Sequence, residues 1–452
     1  MANIRERNNK AYEVTVCLGY DSNGKKLRKI KTFKKPDGMT DKKWDKEIHA
    51  IAVNFEREVL RGLYVDSEIN FAAFVDRWMM EYGENNLEPT TLDSYKRELR
   101  TKIIPALGHM KLGKITPMNV LSFLNNLLED GVRVDGKPGP YSDKTVKYQW
   151  QILSSIFQQA VYWQVIPENP CKKVKPPKNK KAEKSYSNSG LEFYNEDQTM
   201  LLLDIIDNEV SMYKQECSNR FSQDTPVNFK YSNPLKYKAA IYIALFCGLR
   251  NGEILGLTWN DIDFTSKIIS VNKSRAVVEG EGMITKYPKT KSSIRTISAP
   301  EAVISLLKEY KEVQALEISE LGNLWDSEWK DNPWIFTQWN GKGMYYQTIS
   351  KWLKKVVKRY NKEIEKDSQI TEKLKNQYYL PVLSIHKLRH TSATLLIAQN
   401  TDIRTVSARL GHAHTSTTMN IYVHGLESSD RKASEALESL LTKDDRKLRV
   451  VK

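Results

Sequence analysis

Histidine and arginine gather in one short part of this chain. Five of its seven histidines fall between His386 and His424, and the same segment, which opens "HKLRH", carries Arg389. Arginine stays charged and binds phosphate oxygens in pairs, while imidazole exchanges protons near neutral pH. These residue types could therefore do acid–base and anion chemistry, although each of them alone is a weak signal.

The pair His386 and His390 has the i,i+4 spacing of two zinc ligands on one helix face. No glutamate of the H-E-x-x-H type lies between them, and no third ligand follows at a metal-like spacing. We therefore expect no metal and no other cofactor.

Further candidates lie upstream of the histidines. Arg250 occupies a glycine-flanked helix junction in "LFCGLRNGE", where the alternative is a structural ion pair with Glu253. In "YPKTKSSIRTISAP", Lys289 and Lys291 are predicted near the tip of a hairpin, and Arg295 enters the strand that follows. Lysine on a turn is usually only solvated, so neither lysine is informative alone.

Downstream, spacing adds two more residues. His386 and Arg389 are three apart and would project from one helix face. His412, in "LGHAHTSTTMNIYVH", precedes Tyr422 by ten residues. With 22 tyrosines in the chain, residue type alone would leave Tyr422 in a core or an interface.

Composition narrows the partner. The formal net charge is +15 with a pI near 9.3, which suggests nucleic acid or an anionic membrane. The longest apolar run, from Ala239, has 11 residues and cannot span a bilayer, and the N-terminus shows no secretion signal. We expect a cytoplasmic protein, in the bacterial cytoplasm or nucleoid, that binds nucleic acid. Four scattered cysteines without a C-x-x-C pair make disulfides and thiolate metal sites unexpected.

Residues 1–63 form a small basic α+β module. A strand with one apolar face, a turn at Asn23-Gly24, a second strand and a helix capped by Thr40 and ended by Gly62 are predicted. The strand face comprises Tyr12, Val14, Val16 and Leu18, and the helix stripe comprises Trp44, Ile48, Ile51, Phe55 and Val59. The basic face could bind DNA or be merely solvated. Its candidate DNA contacts are Lys25, Lys26, Arg28, Lys29 and Lys31.

Residues 66–172 are predicted to be all-helical, because four segments show spacings of three and four between apolar residues. Such a domain is either a structural bundle or a clamp on DNA. The lysine-rich stretch from Cys171 is not expected to pack a core, so residues 173–189 are assigned as a basic linker. Three of its lysines could lie along phosphates: Lys172, Lys173 and Lys175.

Residues 190–435 are predicted to be a mixed, mainly helical domain with a small sheet, followed by a tail at 436–452. A buried helix, a sharp turn and a second helix surround Arg250, while 207–234 is expected to be irregular. "KIISVNKSRAVVE" has β character and "IRTISAP" would pair with it in a short sheet, and the chain is helical again from Ser384.

The ordered set Arg, Lys, His-x-x-Arg, Gly-His, Tyr resembles the tyrosine recombinase (phage integrase) family. The motifs that carry the resemblance are "GLRNGEIL", "PKTKSSIRTI", "HKLRHTSATLL" and "LGHAHTSTTMNIY". The helical region is similar, more loosely, to the family's core-binding domain. The N-terminal module looks like the arm-type DNA-binding domain of integrases from phages and conjugative transposons. The implied fold is multidomain and of the tyrosine recombinase/type IB topoisomerase kind.

The resemblance implies a role for each residue. Tyr422 is the nucleophile that forms a 3′-phosphotyrosyl link, and Arg250 and Arg389 clamp the phosphate. Lys289 is the expected general acid, with Lys291 as its competitor. The remaining assignments are His386 for the tyrosine proton, His412 for a phosphate hydrogen bond and Glu253 as support. His390, His414 and His424 receive no role, and we interpret the first as structural support and the other two as surface residues.

The resemblance also implies partners. Double-stranded DNA with core-type and arm-type sites, a homotetramer on that DNA, an excisionase and a host DNA-bending protein are expected, and a membrane is not. After Tyr422 a helix would dock on a neighbouring protomer or pack in cis, through Ala433, Ala436, Leu437, Leu440 and Leu441. Two other functions stay open: a type IB topoisomerase-like enzyme and a catalytically degenerate DNA-binding regulator.

Overall fold

The computed structural model describes residues 2–7, 11–20, 26–60, 69–179, 193–221, 233–288, 294–367, 371–412, 415–416 and 418–419. The chain divides into two compact units, Met1–Lys184 and Ser185–Lys452. Within the described ranges, no helix combines the length and the apolar character that a membrane span needs.

The first unit begins with a three-stranded antiparallel sheet backed by one helix. The strands, in the sheet order β1-β2-β3, are β1 (Asn3–Arg7), β2 (Ala11–Tyr20) and β3 (Lys26–Lys34), and the helix is α1 (Asp41–Leu60). Strand β1 is an element that the sequence pattern did not predict. The predicted apolar stripe of α1 packs on the sheet, with Trp44, Ile48 and Phe55 all buried.

Leu18 departs from the predicted strand face. Val14 and Val16 are buried, but Leu18 is 43% exposed. The β2–β3 register shifts between Cys17 and Gly19, and a bulge of this kind breaks the alternation of faces. The predicted turn at Asn23-Gly24 and the helix end at Gly62 lie outside the described residues.

A helical part with its own core follows. Its main helices are α2 (Phe71–Trp78), α3 (Pro89–Glu98), α4 (Pro117–Asn126) and α5 (Asp143–Tyr162), with shorter helical segments at Met79–Gly83, Glu84–Asn86, Leu99–Ile103, Ile104–Leu107, Leu112–Lys114 and Pro170–Lys173. Met79–Gly83 and Leu99–Ile103 are π-helical. Thr116 caps α4 ahead of Pro117, as predicted, because its hydroxyl accepts from the Asn119 amide.

The prediction that the lysine-rich stretch packs no core is wrong at its beginning. Cys171 and Val174 are buried in the helical core, and the Cys171 carbonyl accepts a hydrogen bond from Trp150 Nε1 at 3.2 Å. The lysines between these two residues are exposed, while Cys171 and Val174 themselves are buried. The high lysine content of the whole stretch therefore gave a wrong prediction for its first residues. The proposed domain boundaries otherwise stay predictions.

The second unit is mainly helical. Its helices are α6 (Glu196–Phe221), α7 (Leu235–Tyr242), α8 (Asn251–Gly256), α9 (Glu301–Leu321), α10 (Thr348–Lys366), α11 (Glu372–Tyr378), α12 (Ile385–Ala398) and α13 (Ile403–Leu410). A π-helix spans Ile243–Cys247, and short 3-10 helices span Trp259–Asp261, Gly322–Leu324 and Ser327–Lys330. The predicted irregular stretch at 207–234 is wrong as far as Phe221, since α6 continues to that residue.

Two small sheets accompany these helices. One has the order β4-β5-β8, from β4 (Ile262–Asp263), β5 (Ile268–Val271) and β8 (Arg295–Ser298), and the other is the hairpin of β6 (Ser274–Val278) and β7 (Gly282–Lys286). The predicted pairing of "KIISVNKSRAVVE" with "IRTISAP" is confirmed for its first part, where Val271 lies opposite Arg295. Its second part is β6, which pairs with β7 instead.

The predicted lysine hairpin falls outside the described residues, which include neither Lys289 nor Lys291. The described hairpin is β6–β7, and its turn carries Glu279 and Glu281. The strands on either side of the two lysines in the sequence, β7 and β8, belong to different sheets. The multidomain, mainly helical fold class with small sheets is nevertheless confirmed.

Candidate active site

A left-handed glycine turns the chain just ahead of Arg250. Gly248 ends the π-helix with φ +66°, a backbone conformation that favours glycine. A Cβ there would lie 2.5 Å from Leu410 Cδ2, so the close packing against α13 also requires glycine. Arg250 then occupies the N-cap position of α8, and its location is fixed by the backbone.

Glu253 is the centre of the site. As the third residue of α8 it accepts the Arg250 backbone N–H at 2.8 Å, one half of a capping box, which fixes its carboxylate. It also accepts Arg250 Nη1 at 2.9 Å and both terminal nitrogens of Arg295 at 3.0 and 2.8 Å. Arg389 Nη1 lies 4.0 Å away. We call Arg250, Arg295 and Arg389 around Glu253 the arginine cluster.

The charges of this cluster set the ionisation of its carboxylate. Burial alone would raise the pKa of Glu253, but the hydrogen bonds and charge of Arg295, followed by those of Arg250, bring it down to about 2. Glu253 is therefore ionised at neutral pH. One negative charge faces three cations, and the site carries excess positive charge.

The end of helix α13 provides the second set of contacts. Three successive carbonyls at its C-terminus, residues 409–411, each accept one arginine; we call them the carbonyl run. A helix C-terminus is partially negative, so it favours cations at this place. The acceptors are Arg409 O, Leu410 O and Gly411 O, which receive Arg295 Nε at 3.0 Å, Arg389 Nη2 at 2.6 Å and Arg250 Nη2 at 3.0 Å.

The three arginines differ in access to solvent. The Arg250 side chain is 40% exposed, whereas those of Arg295 and Arg389 are 8% and 1% exposed. Arg389 Nη1 donates to Gly248 O at 2.5 Å, so both terminal nitrogens of this side chain hold main-chain carbonyls. Arg250 is the member of the cluster that is open to a bound anion.

His386 and His390 both lie on α12. His386 is exposed, and its ring meets that of His390 edge to face with centroids 4.8 Å apart. His390 Nδ1 is buried and has no hydrogen-bond partner among the described residues. The partial burial of the His386 ring, followed by the charges of Arg389 and Arg250, lowers the pKa of His386. Burial, followed by the charge of His386, lowers the pKa of His390 to about 4. His390 is therefore neutral at neutral pH.

His412 follows the carbonyl run directly. Its Nδ1 lies 2.8 Å from the hydroxyl of the buried Thr418, which leaves Nε2 for an outside partner. Burial, followed by the charges of Arg389 and Arg250, lowers the pKa of His412 to about 4. The structure thus joins Arg250, Glu253 and Arg389 through direct contacts. His412 follows the carbonyl run in the chain, and His386 is close to the same charges.

Several predicted residues lie outside the described part of the chain. Both lysine candidates and the predicted nucleophile are among them, as are one arm-domain lysine and the C-terminal stripe: Lys289, Lys291, Tyr422, Lys25, His414, His424 and residues 433–441. Within the described ranges, no group of three histidine, cysteine or carboxylate side chains is arranged to hold a metal.

The N-terminal DNA-contact candidates divide between the two faces of the sheet. Val14 and Val16 face α1, and their strand partners Lys31 and Lys29 lie on the same side. Arg28, opposite Cys17, lies on the open face, which we define by Arg5, Arg28, Lys26 and Lys34. In the helical part, Lys172, Lys173 and Lys175 are exposed, with Lys173 paired to Glu168 at 2.7 Å.

Sequence reasoning missed three residues of the site. Arg295 was seen only as a strand residue, and neither Arg409, whose Nη2 donates to Phe246 O at 2.8 Å, nor Thr418 was singled out. A signal for Arg295 did exist. It shares a strand face with the buried Ile297, and an arginine on an inward-facing position needs a partner for its charge.

Comparison with known proteins gives a consistent result. Residues 220–428 match the model of the phage integrase family, and residues 70–128 match that of the phage integrase N-terminal SAM-like domain. The chain is 27% identical to a "Tyrosine recombinase XerC-like" protein of Caldanaerobacter subterraneus subsp. tengcongensis, over 95% of this chain and 96% of the relative. It is 26% identical to the ICEBs1 integrase of Bacillus subtilis, over 97% and 100%.

A solved structure extends the likeness to the fold. The Tn1549 transposon integrase in complex with transposon right end DNA superposes with a TM-score of 0.58 at 20% identity. The match covers 82% of this chain and 99% of that one.

Proposed function

Because this chain belongs to the phage integrase family of tyrosine recombinases, we propose how its own residues cut and rejoin DNA. It is a site-specific recombinase that integrates or excises a mobile element. The observation that carries the mechanism is the arginine cluster. Three guanidinium groups surround one carboxylate near the turn before His412, so the cluster carries excess positive charge. The guanidinium of Arg250 is the exposed one of the three.

The proposed reaction is a transfer of one phosphodiester bond. The Tyr422 oxygen attacks phosphorus, the bond to the 5′ oxygen breaks, and a 3′-phosphotyrosyl link and a free 5′-hydroxyl result. Lys289, or Lys291 in its place, gives the leaving oxygen its proton. Rejoining is the reverse attack by a 5′-hydroxyl, so the bond energy is kept in the phosphotyrosine.

Arg250 and Arg389 share the work of stabilising the pentacoordinate phosphorus. Arg250 has N–H groups free of Glu253 and Gly411 with which it can bind a non-bridging oxygen. Arg389 binds the main-chain carbonyls of Gly248 and Leu410, which fixes its guanidinium in the site. Its buried positive charge attracts the phosphate more strongly than an exposed charge would, because the local dielectric is low.

The histidines take complementary roles. His386, whose pKa is lowered, accepts the Tyr422 proton. If His412 Nδ1 accepts from the Thr418 hydroxyl, its Nε2 carries the proton and donates to a phosphate oxygen. Neutral imidazole at His412 suits that donation without requiring acid pH.

Double-stranded DNA is the proposed partner over a wide surface. Helix α10 exposes a row of lysines that the sequence reasoning did not assign: Lys351, Lys354, Lys355, Lys358 and Lys362. Their spacing places them along one side of the helix, where several of them could bind successive phosphates of the DNA backbone. We propose that the open face of the N-terminal sheet binds arm-type sites, that a homotetramer forms on DNA, and that an excisionase and a host DNA-bending protein assist.

A nicked suicide substrate tests the reaction. DNA fragments flanking the gene would be screened for specific binding, and the bound core site, nicked beside the cleavage position, would trap the covalent adduct. Mass mapping should place the DNA on Tyr422, and Tyr422→Phe should bind but form no adduct. DNA on another residue, or cleavage by Tyr422→Phe, would refute the assignment. Binding without any adduct would favour the regulator, and relaxation of supercoils lacking the site would favour the topoisomerase.

A further inference from the structure

We propose that Arg295 is a positioning residue of the recombination site: it neutralises Glu253 so that Arg250 stays available to the phosphate, and it fixes the start of β8 to the arginine cluster. This inference rests on the function proposed above, and it gives a role to a side chain that the motif pattern leaves unassigned.

The contacts of Arg295 join three parts of the site. Its terminal nitrogens bind both oxygens of Glu253 at 3.0 and 2.8 Å, and its Nε donates to Arg409 O at 3.0 Å. A Cβ on Gly411 would lie 3.0–3.2 Å from the Arg295 guanidinium, so the glycine lets this side chain pass closely beneath the turn before His412. With the side chain 8% exposed, these partners hold it in one position.

Competition for one carboxylate gives the first consequence. Oε1 of Glu253 accepts from both Arg250 and Arg295, and Oε2 accepts from Arg295 and the Arg250 backbone. Without Arg295, the buried carboxylate would keep its charge and have Arg250 as its nearest cation. A buried charge binds its remaining partner strongly, so Arg250 would be drawn from the phosphate.

The position of Arg295 in the chain gives the second consequence. It is the first residue of β8, so its two-oxygen grip on Glu253 joins the start of that strand to the first turn of α8. A shift of α8 would move Arg250, and a misplacement of about 1 Å can cost on the order of a hundredfold in rate.

The test is a double-mutant cycle on Arg295 and Glu253. Single-turnover cleavage of the nicked core-site substrate, at saturating enzyme, would be measured for the wild type, for Arg295→Gln, Arg295→Lys and Glu253→Gln, and for each Arg295 variant combined with Glu253→Gln. DNA affinity and melting temperature would be recorded for each. Arg133→Gln is the matched control, because Arg133 also grips a carboxylate with two nitrogens, that of Asp135, and donates to a carbonyl, that of Pro140.

We expect Arg295→Gln to slow cleavage roughly a hundredfold without weakening DNA binding. Adding Glu253→Gln should then restore about tenfold, since the competing charge is gone. In the chain that keeps Arg295, Glu253→Gln alone should only slow cleavage. A purely structural role would show no rescue, because each change would remove another buried contact.

The inference is overturned if Arg295→Gln cleaves like the wild type or Arg133→Gln, or if Glu253→Gln gives no rescue. Should Arg295→Gln not fold, Arg295→Lys decides instead. Lysine keeps the charge, so Glu253→Gln should slow this variant, and a faster double variant would overturn the idea. A wild type that forms no adduct would refute the proposed function itself, which separates the two failures.

Discussion

The chain has two basic regions that use arginine in opposite ways. On the open face of the N-terminal sheet, Arg5 and Arg28 are exposed. In the arginine cluster, Arg295 and Arg389 are nearly buried and bound to a carboxylate and to carbonyls. The first region can adjust to a phosphate backbone, while the second is fixed before any phosphate arrives.

The exposed and the buried arginines can therefore contribute in two different ways, to DNA affinity and to catalysis. Exposed cations release counterions from DNA, so they supply affinity that depends on salt and little on geometry. Buried cations with fixed partners act where charge develops, and they need no reorganisation at the moment of reaction. Substitutions that keep charge but alter geometry should therefore be mild in the first region and severe in the second.

The largest effect is expected for Arg389→Lys. One ammonium cannot replace the bonds to both Gly248 O and Leu410 O, so cleavage should fall at least a hundredfold, about 3 kcal/mol of barrier. The buried carbonyl left unpaired should also reduce the free energy of unfolding by about 1–3 kcal/mol. Single-turnover cleavage and thermal unfolding measure both. A variant that loses neither would show that this buried cation is dispensable.

Arg250→Lys should lose rate but not stability. The side chain is 40% exposed, so lysine is tolerated by the fold, but the planar two-oxygen grip is lost and cleavage should slow about a hundredfold. Arg28→Lys on the open face is the matched control and should cleave normally. Equal effects of the two substitutions on cleavage would remove the distinction between the regions.

Deleting residues 1–63 should leave core-site cleavage within about threefold of the full chain and weaken binding to distal sites. The sheet and α1 have their own core, and every described member of the arginine cluster lies beyond residue 249. Arm-site affinity of the intact protein should fall steeply with salt, with a slope near −0.9 per phosphate contact. Loss of core cleavage in parallel with distal binding would contradict an arm-binding role.

The smallest effect concerns pH. The pKa values of His390 and His412 are lowered from 6.5 to about 4, so the folded chain binds fewer protons than the unfolded chain between those values. Stability from these groups is complete above pH 6.5 and is lost as pH falls. Because both rings are only half-buried, solvent screening reduces the expected loss at pH 4.5 to about 1–3 kcal/mol in total. Thermal unfolding at pH 6.5 and 4.5 measures it. His390→Gln should reduce the dependence, and an unchanged dependence in this variant would contradict the assignment.

Much of the fold could be predicted because local rules dominate it. The Thr116-Pro117 start of α4, the stripe of α1 and the turn before Arg250 follow from capping, periodicity and glycine. The prediction was wrong for Leu18, because a bulge interrupts the alternation of strand faces there. It was also wrong for Cys171 and Val174, whose burial the many neighbouring lysines concealed. The polar end of α6 also continued as helix despite weak apolar periodicity.

The candidate site was predictable by residue type but not by contact. Sequence order suggested Arg250, Glu253 and Arg389, and the structure places all three together. It could not suggest that the carbonyl run receives three arginines, because backbone acceptors have no residue signature. It also could not rank the arginines by exposure, since that depends on how α12 and α13 pack.

The connection between β7 and β8 has a consequence for how such proteins diversify. It begins on a strand paired with β6 and ends at Arg295, so both of its attachment points are held by contacts within the unit. Doubling the length of a flexible loop costs only about 0.6 kcal/mol, and a change in length here would not alter the contacts that hold Arg250. Insertions and deletions between these strands should therefore cost the fold less than substitutions at the attachment points. A lineage could change this connection while inheriting intact the contacts that hold Arg250.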